Sequence, residues 1–182
     1  MKRTRCVAAV AAAVAVVALL SPGPAAARTP VVSAPAAVRQ YYPDVDNITC
    51  VINEERARLG VPPLLISARA GDVGRSHARD MASMNRLTPV GSDGRDLRTR
   101  LNDAGLYSTT VAEYMFSGYS HDGYFADMAT DPAPDNDFYK ALVDRSFVAW
   151  GLGYDRTYWD IDLLGYHRKL NTRPAVCDTR TF

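Results

Sequence analysis

The sequence predicts a single α+β domain in which helices come first and strands come last. Three observations carry that reading. From Asp44 to Met84 the apolar residues recur at three- and four-residue spacing in two separate runs, the period of a helix. From Phe147 to Leu164 they form two arms across a turn at Asp155-Arg156-Thr157, the signature of a strand hairpin. Between these regions lie only short helical and extended pieces, without a second linker or an internal repeat, so both kinds of element must share one core.

The first 27 residues read as a secretory signal peptide. Lys2, Arg3 and Arg5 precede an unbroken apolar run from Val7 to Leu20. Pro22 and Pro24 break it, and Ala25-Ala26-Ala27 offers a small-residue cleavage site. The run is too short and wrongly flanked for a stable membrane span, and Cys6 precedes it, which is not the place of a lipid-bearing cysteine. The expectation is a secreted, extracellular chain with no membrane span after processing. Residues 28–43 are a Pro- and Ala-rich leader, residues 44–168 the folded domain, and residues 169–182 a C-terminal tail.

Within the domain each element has a local signal. The first helix begins between Asp44 and Asn47, with Ile48, Val51, Ile52 and Leu59 on one side, and stops at Gly60 before Pro62 and Pro63. Ser67 caps the second, which sets Ala70, Val73, Gly74, His77, Ala78, Met81 and Met84 on one face and Asp72, Arg75, Arg79 and Asp80 opposite. After the polar turn at Gly91-Ser92-Asp93-Gly94, Asp96 caps a short helix that ends at Gly105. Thr109 to Ser117 is extended, Asp122 to Met128 helical, and Phe138, Ala141 and Leu142 mark one or two further helical turns. In the last arm Trp159, Ile161 and Leu163 alternate with Tyr158, Asp160 and Asp162, which predicts a half-buried strand.

Charge and cysteines narrow the function. The chain has 21 Lys and Arg against 20 Asp and Glu; removing the three basic residues of the signal peptide leaves 18 against 20. No basic stripe survives, which argues against nucleic acid or an anionic membrane as partner. Only Cys50 and Cys177 remain after processing. In an exported chain a disulfide between them is the natural reading, over a metal pair or two free thiols; neither has a histidine or second cysteine at ligand spacing. Such a bond would be worth about 4–5 kcal/mol on the chain-entropy estimate.

The wording Val51-Ile-Asn-Glu-Glu-Arg-Ala-Arg-Leu-Gly-Val-Pro-Pro-Leu64, followed by Ser76-His-Ala-Arg-Asp-Met-Ala82, resembles the opening of bacterial CAP (SCP-like) extracellular domains. Asp93-Gly-Arg-Asp-Leu-Arg-Thr-Arg-Leu-Asn-Asp-Ala-Gly105 is similar to a second segment of that family, and Gly151-Leu-Gly-Tyr154 with Tyr158-Trp-Asp-Ile-Asp-Leu-Leu-Gly165 to its final hairpin. The resemblance implies a three-layer α-β-α sandwich with a cleft, where many members hold a divalent metal with two histidines and carboxylates. By the same resemblance the first histidine position carries Pro89, in Thr88-Pro89-Val90, and the second carries Phe138. The Gly-Glu-Asn motif reads Ala112-Glu113-Tyr114, and a frequent glutamate before the last hairpin reads Ala149. One carboxylate, Glu113, is kept. A hydrolytic metal site needs about three protein ligands, so no metal and no cofactor are expected.

The other polar residues have plain roles beside functional ones. His77 reads as a hydrogen-bonded core histidine or as a proton shuttle for Glu113. His121 is placed to cap a helix, and His167 lies in the tail. Asn47-Ile-Thr49 is a formal glycosylation sequon at a helix start, where Asn47 would act as a cap. Asp160 and Asp162 share a strand face and could serve Glu113 as the second carboxylate of a glycosidase-like pair. Tyr114, Phe138 and Tyr139 map to the wall of the former cleft and, with Glu113, are the ligand-binding candidates; aromatics filling a lost metal site are the competing reading. The expected function is binding of an apolar ligand, a cell-wall component or a protein partner by a non-catalytic domain. The alternatives are an unconventional extracellular hydrolase using Glu113 with His77, and an inert, stable domain with an interaction role.

Overall fold

The computed structural model describes residues 40–166 and 170–177. The expected signal peptide, most of the leader, His167 and the last five residues lie outside the described residues. The elements are α1 (Val45–Arg58), β1 (Leu65–Ser67), α2 (Ala68–Met84), α3 (Leu97–Asp103), β2 (Val111–Ser117), α4 (Asp122–Thr130), α5 (Asp137–Leu142), β3 (Phe147–Asp155), β4 (Tyr158–Gly165) and β5 (Thr172–Arg173). No helix among the described residues is long and apolar enough to cross a membrane.

The helix boundaries follow local capping chemistry. Asp44 caps α1 by accepting from the Asn47 amide at 3.0 Å, Ser67 caps α2 through the Ala70 amide, and Asp96 caps α3 through the Thr99 amide. His121 caps α4 in the same way, its imidazole accepting from the Tyr124 amide at 3.0 Å. Asn47 therefore sits inside α1 and is not its cap. The third residue of its sequon, Thr49, is buried, donating to the Val45 carbonyl and accepting from the Trp150 indole at 3.1 Å. Gly60 (φ 67°) and Gly105 (φ 73°) turn the chain after α1 and α3 through the left-handed region, which a side chain would strain.

The five strands form one sheet in the order β2-β4-β3-β1-β5. β1 runs parallel to β3, and the other neighbours are antiparallel. Strands β1 and β5 are the two elements with no counterpart in the sequence reading. At three and two residues they are too short for a period to show. The Asn53 amide side chain brackets the approach to β1, donating to the Leu64 carbonyl at 3.0 Å and accepting from its N–H at 2.7 Å.

Helices cover both faces. On one, α1, α4 and α5 pack Ile48, Ile52, Phe125, Phe138 and Leu142 against Trp150, Trp159, Ile161 and Leu163. On the other, α2 and α3 pack Ala70, Val73, Leu97 and Leu101 against Ala149 and Leu164. Arg56 reaches from α1 into the first layer and is 1% exposed, its guanidinium donating to the carbonyls of Pro62, Leu142, Asp144 and Phe147. Strand β4 departs from expectation: it is buried on both faces rather than half-buried, and Asp160 and Asp162 have no exposed surface.

The N-terminal approach and the tail both dock on this body. Tyr41 packs edge-on against Tyr154, with ring centroids 5.0 Å apart, and bonds through its hydroxyl to Asp122. Cys50 and Cys177 form the expected disulfide. Beside it Arg173 bridges to Asp46 at 2.6 Å, and the Val176 amide donates to the same carboxylate at 2.8 Å.

Candidate functional site

The polar centre of the domain lies between α2 and the sheet, and two glycines create it. A Cβ on Gly151 would stand 2.2 Å from the Gly71 nitrogen, and one on Gly153 would stand 2.0 Å from the Arg75 nitrogen. The backbone of α2 therefore rests directly on β3. Across the ladder Gly151 faces Asp162 and Gly153 faces Asp160, so both carboxyls share the glycine face and are sealed beneath the helix. On the far side of β4, Glu113 of β2 stands directly opposite Asp162. Three carboxyls thus meet in one buried cluster, an arrangement that cross-strand pairing normally disfavours for like charges.

Arg100 supplies the cation. From α3 it bonds through one Nη to Glu113 Oε1 and through the other to the Pro89 carbonyl at 3.1 Å and the Arg95 carbonyl at 2.8 Å. Its side chain and that of Glu113 are 7% and 8% exposed. Pro89 thus contributes a backbone oxygen that positions a guanidinium. His77 enters from α2, its Nε2 2.8 Å from the Thr88 carbonyl and 3.9 Å from Glu113 Oε1.

The electrostatics follow from burial. Burial raises the Glu113 carboxyl, and the Arg100 guanidinium partly offsets this. Burial, reinforced by neighbouring carboxyls, holds Asp160 and Asp162 well above the usual carboxylate range. Burial first, and Arg100 second, lower His77 and keep its imidazole neutral near pH 7.

A ring nitrogen of His77 and carboxylate oxygens of Glu113 and Asp160 lie within 4.8 Å of one another. That spacing alone would allow a metal, but the bonding does not. Nε2 faces the Thr88 carbonyl, so it carries the hydrogen and leaves a lone pair only on Nδ1. The Glu113 oxygen is taken by Arg100, a resident positive charge. The residues present do not fit the family's divalent ion.

The structure brings His77 to Glu113 but does not bring the aromatic candidates there. Glu113 and Tyr114 are consecutive in β2, so their side chains leave opposite faces of the sheet. Tyr114 packs on Phe138 with centroids 5.1 Å apart, and Phe138 also meets Phe116 and Phe125 in the α4–α5 layer. Tyr139 is buried in the same layer and bonds to Glu55 at 2.5 Å. Ala149 lies buried on the α2 face. Arg100 went unnoticed in the sequence because one arginine among several on a short helix carries no local signal.

Open space adjoins this centre beside α2: a pocket of about 160 Å³ is lined by His77, Asp80, Ser92, Asp93 and Arg100, and Arg100 also borders a second, larger one. A groove of about 310 Å³ runs between α2 and α3, with Val73 and Ala104 as apolar lining and Arg69, Asp72, Arg95 and Asp103 around them. Residues 50–160 match the family described as the cysteine-rich secretory protein family, CAP. The chain belongs to the CAP family. Three solved structures share the CAP fold. An extracellular protein with an SCP domain from Bacillus anthracis is 18% identical, with a TM-score of 0.58 over 65% of this chain and 39% of its own. An outer surface protein from Borrelia burgdorferi is 15% identical, with a TM-score of 0.55 over 66% of this chain and 90% of its own. A cysteine-rich secretory protein from Staphylococcus aureus is 17% identical, with a TM-score of 0.52 over 65% and 37%. The CAP chain therefore spans well under half of the Bacillus and Staphylococcus proteins. No curated protein sequence matches it.

Proposed function

We propose that this CAP domain is exported and acts by binding, without metal-dependent hydrolysis. The observation that carries this reading is the Arg100 guanidinium on Glu113: the one retained family carboxylate is bound to a cation, and its side chain is only 8% exposed. A general base or metal ligand must reach substrate or a metal, and the Arg100 guanidinium occupies this carboxylate instead. Export is supported by the signal-peptide pattern of residues 1–27, by the disulfide, and by the extracellular and outer-surface descriptions of the structural neighbours.

The α2–α3 groove is the place for a ligand. Its volume falls at the lower end of small-molecule sites, roughly 300–1,000 Å³. Its charged groups all have partners: Arg95 pairs with Asp103 at 3.0 Å, Asp72 with Arg75 beside the groove at 3.0 Å, Arg69 with the Ala104 carbonyl at 3.2 Å, and Arg100 with Glu113. Paired donors and acceptors over an apolar lining fit a compact polar molecule, and a cell-wall saccharide fragment is the class that this chemistry favours.

Calorimetry tests both halves. Zinc titrated into the wild-type domain and into Glu113→Gln should give the same heats; tight uptake lost in the variant would overturn the non-metal reading. Soluble cell-wall saccharide fragments should bind saturably to the wild type and not to Ala104→Trp, whose indole fills the groove. Equal binding by both would remove the groove assignment.

A further inference from the structure

We infer that the Glu113–Asp160–Asp162 cluster is held together by protons, with Asp160 donating an O–H to Glu113 and Asp162 kept as a neutral acid, so that this domain takes up protons as it folds. The charged groups around the cluster can be followed element by element. β4 supplies Asp160 and Asp162, β2 supplies Glu113, and β3 supplies only Gly151 and Gly153. α3 supplies Arg100, and its capping residue Asp96 adds a further negative charge toward Glu113. α2 supplies His77, neutral and bonded to Thr88, with Asp80 and the turn residue Asp93 acting on the imidazole. Three carboxyls therefore face one guanidinium.

The hydrogen bonds show the same imbalance. Arg100 spends its Nη groups on Glu113 and two carbonyls, and its Nε has no partner. All four oxygens of Asp160 and Asp162 are buried without a donor. Ionised carboxylates in that state would be both desolvated and unpaired, the costliest condition for a buried group. A proton on Asp160 cures both faults: the acid becomes neutral and its O–H bonds to the adjacent Glu113 carboxylate. Neighbouring carboxyls that cannot both ionise share a proton for the same reason. The upward shifts of Asp160 and Asp162 agree with the geometry.

The sign of the pH dependence follows. In the unfolded chain these acids lose their protons near pH 4; in the folded chain they keep them to higher pH. Above about pH 4 the native state thus binds more protons than the unfolded one, and stability falls as pH rises until the folded values are passed. His77, lowered in the fold, opposes this by one proton below about pH 6.5. The depressed carboxylates Asp46, Glu55, Asp80, Asp93 and Asp96 contribute stability above their unfolded values, lost as pH falls below about 4. The stability maximum therefore lies near pH 4–5, on the acid side of the usual range of about 5 to 8.

Urea unfolding of the disulfide-intact domain from pH 5 to pH 8 tests this. The unfolding constant of the wild type should rise with pH by about tenfold per unit where His77 opposes, and by up to about 100-fold per unit above that window. The Asp160→Asn, Asp162→Asn double variant should lose this rise. Infrared spectra of the wild type at neutral pH should also show the C=O stretch of a protonated carboxyl, a readout that does not depend on the variant folding. A wild-type unfolding constant that is flat or falls from pH 5 to 8, or no such band, would overturn the inference. So would a divalent ion that removes the pH dependence. The inference shares the Arg100–Glu113 contact with the binding proposal but fails separately: Glu113-dependent zinc heat defeats that reading, and a flat pH profile defeats this one.

Discussion

Replacing Cys50 and Cys177 by serine should cost the folded domain about 5 kcal/mol, because the bond closes a loop spanning 127 residues. That is comparable to the whole net stability of many domains, roughly 5–15 kcal/mol. Little else holds the tail. β5 pairs only two residues with β1, Ile66 with Arg173 and Ser67 with Thr172. The Arg173–Asp46 bridge is half open to solvent, and exposed pairs contribute about 0–1 kcal/mol. Urea midpoints of the wild type and the double serine variant measure the effect, and limited proteolysis of the variant should clip the chain after Leu170. A shift below about 1 kcal/mol, far under the chain-entropy estimate, would mean that the tail's non-covalent contacts hold it unaided.

Gly153→Ala should be the most damaging single methyl in the domain. The new Cβ would lie 2.0 Å from the Arg75 nitrogen and 2.0 Å from the Gly74 carbonyl carbon, both backbone atoms of α2. No rotamer change relieves a clash between two main chains, so the helix must lift from the sheet. The expected cost exceeds the roughly 1–3 kcal/mol of ordinary overpacking. Lifting α2 would also admit water to Asp160 and Asp162. Gly71→Ala is the control: its Cβ meets the Leu152 carbonyl at 3.4 Å, and alanine is favoured over glycine within a helix by about 1 kcal/mol. Thermal unfolding should therefore separate the two variants widely. Equal midpoints would show that the close approach of α2 to β3 is not required.

What could be read in advance was local. Ser67, Asp96 and His121 announced their helices because a cap acts on amides two or three residues away. The two cysteines announced their bond because neither has a histidine or second cysteine at ligand spacing, which favoured a disulfide over a metal pair or free thiols. Asp160 and Asp162 looked like the wet side of a strand, since acidic residues in alternation with Trp159 and Ile161 usually are. Their burial is set by two missing side chains on a neighbouring strand and by a helix some 80 residues earlier, neither of which leaves a mark near residue 160. The same holds for Arg100, whose importance comes from Glu113 across a loop. The aromatic candidates were grouped with Glu113 by their positions in the family's sequence; the alternation of β2 puts Tyr114 on the other side of the sheet.

The order of the strands bears on when folding can finish. β1 forms at residues 65–67, yet both of its neighbours, β3 and β5, come from the last 36 residues of the chain. α2 rests on β3, and Cys50 must wait for Cys177. Closing contacts this distant in sequence is slow. A chain emerging N-terminus first therefore stays open until nearly all of it has appeared. Under the export proposed above, that delay would be useful: the polypeptide could be threaded through a membrane channel before its sheet closes, and the closing disulfide would form on the oxidising side.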